Sequence, residues 1–509
     1  MIGLPLSLLD PSCYDHPVES IECIETHISW VFLTGEFAYK LKKPLKLGFL
    51  DFSSLEKRHF YCEEELRLNR RFAPDLYLGV TPICGPSEHP RLNGPGNVLD
   101  YAVKMRQFPQ SALLDRKLLA GELTPSRIDS IAREIARFHL ANSGDVPPGI
   151  GDPDHVLQQA MDNFEQIKEG SDWTDALAAL QSWSAVTFAL HRHHFESRLQ
   201  SGFIRECHGD LHLGNMAWLD DQPILFDCIE FSPELRWIDI ISDLAFTVMD
   251  FHDHGRPELA HRFLNAWLEQ TGDHDGLAIL PWYLVYRAMV RAKVAHIRAR
   301  QAPLEHSSFT DYLALAERFT RPSPKWLLIT YGYSGSGKTT LSQQLLERTG
   351  AIRIRSDIER KRLFGLSPGA RSHSPTDQGI YTPEAHRMAY QRLETLARSI
   401  IQAGYPVIVD AAFLKRAERD TFHALANELG VPFRILELKA DEAELRVRVR
   451  AREQSGADAS EATLDVLEKQ LLFSEAIAED EYPFRLVCLS SDNMADELQR
   501  LEYQISSMT

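Results

Sequence analysis

Residues 332–339 read Gly-Tyr-Ser-Gly-Ser-Gly-Lys-Thr, the pattern G-x-x-x-x-G-K-[ST], directly after the apolar run WLLITY at 326–331. Glycines at these spacings let successive backbone N–H groups curl around phosphate oxygens, and the start of a helix adds positive potential. The mechanism needs a strand before the loop and a helix after it. WLLITY reads as that strand and residues 338–348 as that helix. In such a loop Lys338 reaches the β- and γ-phosphates of ATP and Thr339 ligates Mg2+. Gly332, Tyr333, Ser334, Gly335, Ser336, Gly337 and Thr340 complete the cradle. A plain Gly/Ser turn fits the composition but not the context.

Beyond the loop the chain alternates. Strands are expected at 351–355, 406–410, 432–438 and 483–489. Helices are expected at 357–364, 383–403, 415–429, 441–453 and 460–476. Alternation at this spacing predicts an α/β domain with a parallel sheet covered by helices. Asp410 ends the strand YPVIVD, where a carboxylate suits Mg2+ or its bound water; it could also cap the next helix. Ser356 and Glu359 have the spacing of a capping box. That places Asp357 in a first helical turn at the carboxyl edge of the sheet, where ligands bind in such folds. A carboxylate there can accept a proton from a substrate hydroxyl, and Arg360 lies one turn on. A capped surface helix is the alternative. Arg446, Arg448, Arg450 and Arg452 alternate along one segment. On a helix 446 shares a face with 450, and 448 with 452. One such pair on a mobile lid could close over phosphates, with Arg450 the catalytic candidate. The bland alternative is a solvated face.

GYSGSGKTT, SDIERKRL, VIVDAAFLKRAERD and RVRVRARE with DASEATLDVLEKQ resemble the P-loop kinase group of polynucleotide kinases, zeta toxins and chloramphenicol phosphotransferase, over about 326–490. The resemblance implies a P-loop NTPase fold, Asp357 as base and Arg360 as substrate or transition-state contact. It does not name the acceptor.

The first 320 residues are ordered differently. Strand-like segments at 27–34 and 37–42 precede a charged helix at 54–72 and strands at 77–84 and 98–106. Helical periodicity covers 124–200, two strand-like pieces flank a loop in 204–230, and helices continue to about 319. Strands first, then helices, predicts an α+β, two-lobed body. Its loop carries His208-Gly209-Asp210-Leu211-His212-Leu213-Gly214-Asn215, and Asp227 follows on ILFDCIEF. In phosphoryl transfer Asp210 would orient and deprotonate an acceptor, while Asn215 and Asp227 would hold Mg2+ against the phosphates. A polar β-hairpin is the alternative. Upstream, Lys40 on the strand FAYKLK suits the α/β phosphates. Glu64 or Glu65 of CEEELRLNRR could pair with it, and Glu64 is taken as the partner; a surface pair with Arg67 is the competing reading. YAVKMRQF at 101–108 could supply an adenine-binding hinge. Arg287 and Arg291 share a helix face. They either hold an anionic acceptor or pair with Asp239 and Asp243, the second being preferred.

HGDLHLGN with the later Asp227 resembles the aminoglycoside phosphotransferase and choline kinase group, a branch of the protein-kinase-like fold, over most of 20–300. The glycine-rich phosphate loop of kinases is absent, with only LTGEF at 33–37 available. Taken whole, the chain resembles bacterial two-domain proteins described as bifunctional aminoglycoside phosphotransferase/ATP-binding proteins. RPSPK at 321–325 marks the junction, giving a phosphotransferase-like domain at 1–320 and a P-loop kinase domain at 326–509.

Composition narrows the partners. The net charge is −17, of which −3 falls from Lys325 onward and −14 before it. That disfavours a general nucleic-acid binder, which needs a basic footprint. Seven scattered cysteines without a CxxC pair read as reduced thiols in the cytoplasm. No apolar run reaches the ~18 residues of a membrane span, and the N-terminus lacks the basic region of a signal peptide. The expectation is therefore an ATP- and Mg2+-dependent phosphotransferase with two centres acting on hydroxyls of small molecules. A nucleotide-sensing or toxin-like ATPase, in which one site controls the other, is the alternative from another class. A nucleic-acid 5′-end kinase in the C-terminal half is the weaker one.

Overall fold

The computed structural model describes residues 4–47, 50–142, 144–168, 175–301, 307–372, 374, 378–455, 461–489 and 494–506. The chain forms two compact units: residues 1–130, 138–156 and 196–250, and residues 131–137, 157–195 and 251–509.

The first unit opens with strands β1 (Glu22–Glu25), β2 (Ser29–Leu33) and β3 (Phe37–Lys42), then helix α1 (Leu55–Asn69), β4 (Tyr77–Cys84), β5 (Arg91–Leu92) and β6 (Val98–Arg106). They form one antiparallel sheet in the order β1-β2-β3-β6-β4-β5. The alternation of β3 divides its side chains between two faces. Tyr39 and Leu41 join Phe32, Ile83 and Ala102 in one buried cluster. Lys40 and Lys42 therefore point to the opposite face, toward α1. Helix α1 starts at the Ser54 cap, whose hydroxyl accepts the Lys57 N–H. Arg58 on α1 donates to Asp100 on β6 at 2.9 Å, tying helix to sheet. The sequence missed β1 and β5, which are short and lie at the sheet's edges.

Helices α2 (Pro125–Ala141), α3 (Pro153–Lys168) and α4 (Asp175–Gln200) fill the long helical region. Then come β7 (Ile204–Glu206), the hairpin β8 (Met216–Leu219) and β9 (Gln222–Leu225), β10 (Trp237–Asp239) and α5 (Ile240–Asp253). Strand β10 pairs with β7, so the loop after β7 is held from the side of α5.

The second unit contains α6 (Pro257–Thr271), α7 (Leu280–Gln301) and α8 (Ser307–Phe319). After them come β11 (Leu327–Tyr331), α9 (Lys338–Thr349), β12 (Ile352–Arg355), α10 (Ser356–Leu363), α11 (Pro383–Gln402), β13 (Val407–Asp410) and α12 (Arg416–Leu429). The chain continues through β14 (Phe433–Lys439), α13 (Glu442–Ser455), α14 (Leu464–Phe473), β15 (Arg485–Leu489) and α15 (Met494–Ser506). The five strands are all parallel, in the order β12-β13-β11-β14-β15. Buried on both faces, they read as continuous apolar runs such as VIVD and LLITY. Leu341, Leu345 and Leu346 of α9 pack with Leu328, Ile408 and Leu436 of the sheet. The loop between β11 and α9 thus emerges at the carboxyl ends of the central strands, where parallel α/β sheets bind ligands.

Candidate active sites

The loop at 332–338 takes its shape from two left-handed glycines, Gly335 at φ 85° and Gly337 at φ 92°. A Cβ at Gly335 would sit 3.1 Å from the Leu445 carbonyl oxygen of α13, so this position is closed to side chains by both backbone and space. Helix α9 begins at Lys338, and Lys338 Nζ donates to the carbonyls of Gly332 (2.8 Å) and Tyr333 (2.7 Å). Residues 334–341 line a cavity of about 900 Å3 together with Asp357, Arg360, Tyr381, Asp410, Arg448 and Glu461. Gly332 and Tyr333 follow the strand and are not part of that lining: the Gly332 N–H donates to the Ala412 carbonyl, and their own carbonyls anchor Lys338.

Asp410 closes β13, is 5% exposed and accepts from Ser342 Oγ at 3.2 Å. Asp357 and Arg360 share one face of α10, with Arg360 Nη1 3.6 Å from Asp357 Oδ1. The Arg360 guanidinium lies 5.2 Å from the Tyr381 ring centroid. Its Nε, and Ser336 Oγ in the loop, are buried and find no hydrogen-bond partner among the described residues. Orphaned donors beside a lysine, a threonine and a carboxylate form the donor set that a Mg2+-bound triphosphate would satisfy.

Two expectations at this site are corrected. Ser356 makes no capping box: Arg355 occupies the cap position, Ser356 is the first helical residue, and Glu359 is buried against Arg362. Asp357 still lies in the first turn. Arg450 does not reach the cavity; it is exposed, while Arg448 lines the cavity and donates to the Gly335 carbonyl at 3.4 Å. Leu445 and Val449 set the phase of α13 by burying themselves against Leu467, which turns position 448 toward the loop and 450 away. Arg446 is taken by Glu442 and Glu468, and the Arg452 side chain lies outside the described residues. Sequence reasoning missed Gln470, whose Oε1 accepts the Ser334 N–H at 2.8 Å, because nothing near it in the chain points to the loop.

The first unit's centre is assembled from distant segments. Asp210 follows β7, and Asn215 Nδ2 donates to its backbone carbonyl at 2.9 Å and its Oδ2 at 3.1 Å. His212 Nε2 stands 3.5 Å from the same Oδ2. The loop is pinned from α5: Asp243 accepts the N–H groups of His208 (3.1 Å) and Gly209 (2.9 Å), and Asp250 accepts that of Leu213 (2.8 Å). His208 Nε2 meets the Phe226 carbonyl at 2.8 Å, and burial pushes its imidazole pKa down, favouring the neutral ring. Asp227, two residues past β9, has φ 64° and donates its N–H to Tyr77 Oη at 3.1 Å.

Lys40 bonds the Asp227 carboxylate and Glu65 Oε1, the latter at 2.9 Å. Lys42 bonds Glu65 Oε2 at 2.7 Å and also Glu230. Five charges thus run in series, Asp227–Lys40–Glu65–Lys42–Glu230. Burial alone would lower the Lys40 ammonium pKa, but Asp227 and Glu65 outweigh it and hold Lys40 well above its ordinary value. Glu64 is not Lys40's partner. Helix α1 buries Cys62, Glu65, Leu66 and Asn69 at 3–4 spacing, and Glu64 lies off that face, half-buried. Glu64 there meets Arg67 at 2.9 Å and Arg236 at 3.4 Å. Asp239 is chelated by Arg198 at 2.7 and 2.8 Å, and Arg291 meets Tyr312 Oη at 3.2 Å. LTGEF forms a tight turn between β2 and β3, with Gly35 at φ 97° and its N–H donated to Gln107 Oε1 at 2.8 Å.

Protein-family comparison matches a phosphotransferase enzyme family model at residues 63–280 and an AAA domain model at residues 327–477. Fold and motifs together define a two-domain protein, with a kinase-like phosphotransferase domain followed by a P-loop domain on a parallel five-stranded sheet, built for ATP-dependent phosphoryl transfer. Over 434 residues the chain is 30% identical to an uncharacterized protein of Mycobacterium tuberculosis, covering 82% of this chain and 86% of that one. It belongs to the family of two-domain phosphotransferase/P-loop proteins that this mycobacterial relative represents. Similar solved structures include a choline kinase from Cryptosporidium parvum Iowa II, at 12% identity, 59% of this chain, 87% of that chain and a TM-score of 0.38. A gluconokinase from Sinorhizobium meliloti 1021 aligns at 20% identity, 37% of this chain, 99% of that chain and a TM-score of 0.26. No helix among the described residues is long and apolar enough to cross a membrane.

Proposed function

We propose that the protein is a bifunctional kinase that transfers the γ-phosphoryl group of ATP to hydroxyls of small-molecule acceptors at two separate centres. One observation carries the reading: the phosphate loop, Asp357 and Arg360 line a single cavity of about 900 Å3, near the upper end of ordinary ligand sites and roomy enough for nucleotide and acceptor together. In it Lys338 and the loop N–H groups bind phosphate, Asp357 takes the acceptor's proton, and Arg360 offsets charge on the transferring group. Thr339 and Asp410 would hold Mg2+ there. At the other centre Asp210, fixed by Asn215, takes the proton, while Lys40 grips the α/β phosphates. Asn215 and Asp227 would hold the metal there. Bound Mg2+ would neutralise developing phosphate charge at both centres.

The working domains are residues 1–320 and 326–509, joined where prolines 322 and 324 separate α8 from β11. The seven free cysteines suit a reducing cytoplasm. The test is full-length protein with Mg·ATP and a metabolite extract, with new phosphorylated species read by mass spectrometry. Asp210→Ala and Asp357→Ala should each remove a different product. If both variants keep every product, the two-centre reading is wrong.

A further inference from the structure

Helix α6 lies within the span matched by the phosphotransferase model, yet in the second unit it packs on α9 and β12 of the P-loop fold. Asn265 is a template for that contact: it donates to the Ala351 carbonyl at 3.0 Å and accepts the Arg353 N–H at 2.8 Å. Glu269, one turn further on, meets two arginines of β12. Its Oε1 accepts from Arg353 Nη2 at 2.8 Å, and its Oε2 lies 3.8 Å from Arg355 Nη1. Both arginines also reach the P-loop site. Arg353 Nη1 donates to the Thr339 carbonyl at 3.0 Å and to Ser342 Oγ at 3.2 Å, and Ser342 in turn donates to Asp410. Arg355 Nε lies 4.0 Å from Asp410 Oδ2. Arg355 is thus shared between two carboxylates, Glu269 on α6 and Asp410 on β13.

We infer that Glu269 is a positioning residue for the P-loop site, supplied from the phosphotransferase segment: it holds Arg353 and Arg355 so that Asp410 stays available to a divalent cation. This rests on the reading of Thr339 and Asp410 as the cation site. The charges decide the direction. Arg353, Arg355, Glu269 and Asp410 sum to zero. Without Glu269 the group carries +1, and one of the two carboxylates between which Arg355 is shared is gone, leaving Asp410 4.0 Å from its Nε. A guanidinium on Asp410 competes directly with a cation, and buried charges at this separation are weakly screened. The inference also gives a physical reason for the two halves to share one chain, because the P-loop site is electrically complete only with a residue outside its own family span.

The test uses full-length protein carrying Asp227→Asn, which silences the first centre's cation site. The Mg2+ midpoint for binding a non-hydrolysable ATP analogue is measured by calorimetry, with metal-free binding alongside. Glu269→Gln should raise the midpoint about tenfold without weakening metal-free binding, as expected for one uncompensated charge nearby. Arg355→Met should lower the midpoint, and Glu269→Gln with Arg355→Met should return it to within about twofold of the parent. An unchanged midpoint in Glu269→Gln, a parallel loss of metal-free binding, or a double variant no better than the single would overturn the inference. Asp410→Asn separates it from the site reading: if that change leaves the midpoint untouched, Asp410 is not a cation ligand and both fall.

Discussion

Replacing Glu65 by glutamine removes the central charge of the buried series in the first unit. Glu65 is fully buried, and its two oxygens stand 2.9 Å from Lys40 Nζ and 2.7 Å from Lys42 Nζ. Burial raises its pKa, but the two ammoniums outweigh burial and hold it down to about 2, against an ordinary 4.5. That difference corresponds to ~3 kcal/mol of stability, in line with the ~3–5 kcal/mol lost when one partner of a buried pair is removed. The contribution is fully present above pH 4.5 and is lost as the pH falls through about 2, because the folded pKa is the lower one. In Glu65→Gln, Lys40 keeps Asp227 as its only carboxylate in the series and is drawn onto it, away from the phosphates. We expect the first unit to lose ~3 kcal/mol of stability and its affinity for a non-hydrolysable Mg·ATP analogue to fall by about tenfold or more. Denaturation curves and calorimetry, both in a Lys338→Ala background that silences the other site, read the two effects. Glu64→Gln is the control: Glu64 pairs with a half-exposed Arg67 and more loosely, at 3.4 Å, with Arg236, which keeps Glu206 at 3.1 Å, so its loss should cost about 1 kcal/mol and leave nucleotide affinity alone. Equal effects from the two substitutions would refute the reasoning, as would intact affinity in Glu65→Gln.

At the P-loop, Gly335→Ala puts a methyl group 3.1 Å from the Leu445 carbonyl on a φ of 85°, so nucleotide affinity should fall about tenfold or more by calorimetry. Gly337→Ala meets nothing within 4 Å among the described residues and carries only the backbone cost, so its loss should be smaller. Arg448→Ala should lower kcat/KM of the Asp357-dependent activity about tenfold, whereas Arg450→Ala, exposed and off the cavity, should leave it unchanged in the same assay. His252 packs beside Phe319 and His261, and burial first, then His261, pushes its pKa down to about 4 from 6.5. The unfolded chain takes up that proton first, so stability should fall as the pH drops from 6.5 toward 4, by about 1–2 kcal/mol between pH 7 and pH 5. His252→Gln should flatten that slope in denaturation curves.

What the sequence revealed depends on how each site is built. The phosphate loop is legible because its function is carried by consecutive backbone N–H groups, and eight residues suffice to specify them. HGDLHLGN is legible for the same reason: Asp210 and Asn215 meet within one local turn. Strand β3 also emerged with its bounds unchanged, since its alternation is local. The errors sit where rotation about an element decides the outcome. Glu64 and Glu65 differ by one step of ~100° on α1, and Arg448 and Arg450 by two on α13. Only the burial of Leu66, or of Leu445 and Val449, fixes which one faces the site, and that burial is a tertiary fact. Lys42–Glu230 and Glu269–Arg353 join residues 188 and 84 positions apart, which no window along one chain connects.

The same contrast predicts how each centre fails under substitution. A loop that binds phosphate through backbone N–H groups is insensitive to most side-chain chemistry but intolerant of a Cβ at Gly335, where geometry has no slack. The Lys40 centre behaves in the opposite way. Lys40, Lys42 and Glu65 sit on ordinary strand and helix, and the centre's specificity lies in two compact ammoniums between three carboxylates. Lys40→Arg and Lys42→Arg conserve charge, yet each inserts a larger planar guanidinium where the lysine side chains are only 10% and 1% exposed. Lys42→Arg should therefore damage nucleotide binding at the first centre through Glu65, although Lys42 itself faces Glu230 rather than Asp227. Adding Glu230→Asp, which shortens the far carboxylate and makes room, should recover part of that binding. Coupling of this kind between positions 42 and 230, read by a double-mutant cycle on analogue affinity, is what a charge series requires; strictly additive effects would mean that the lysines act alone.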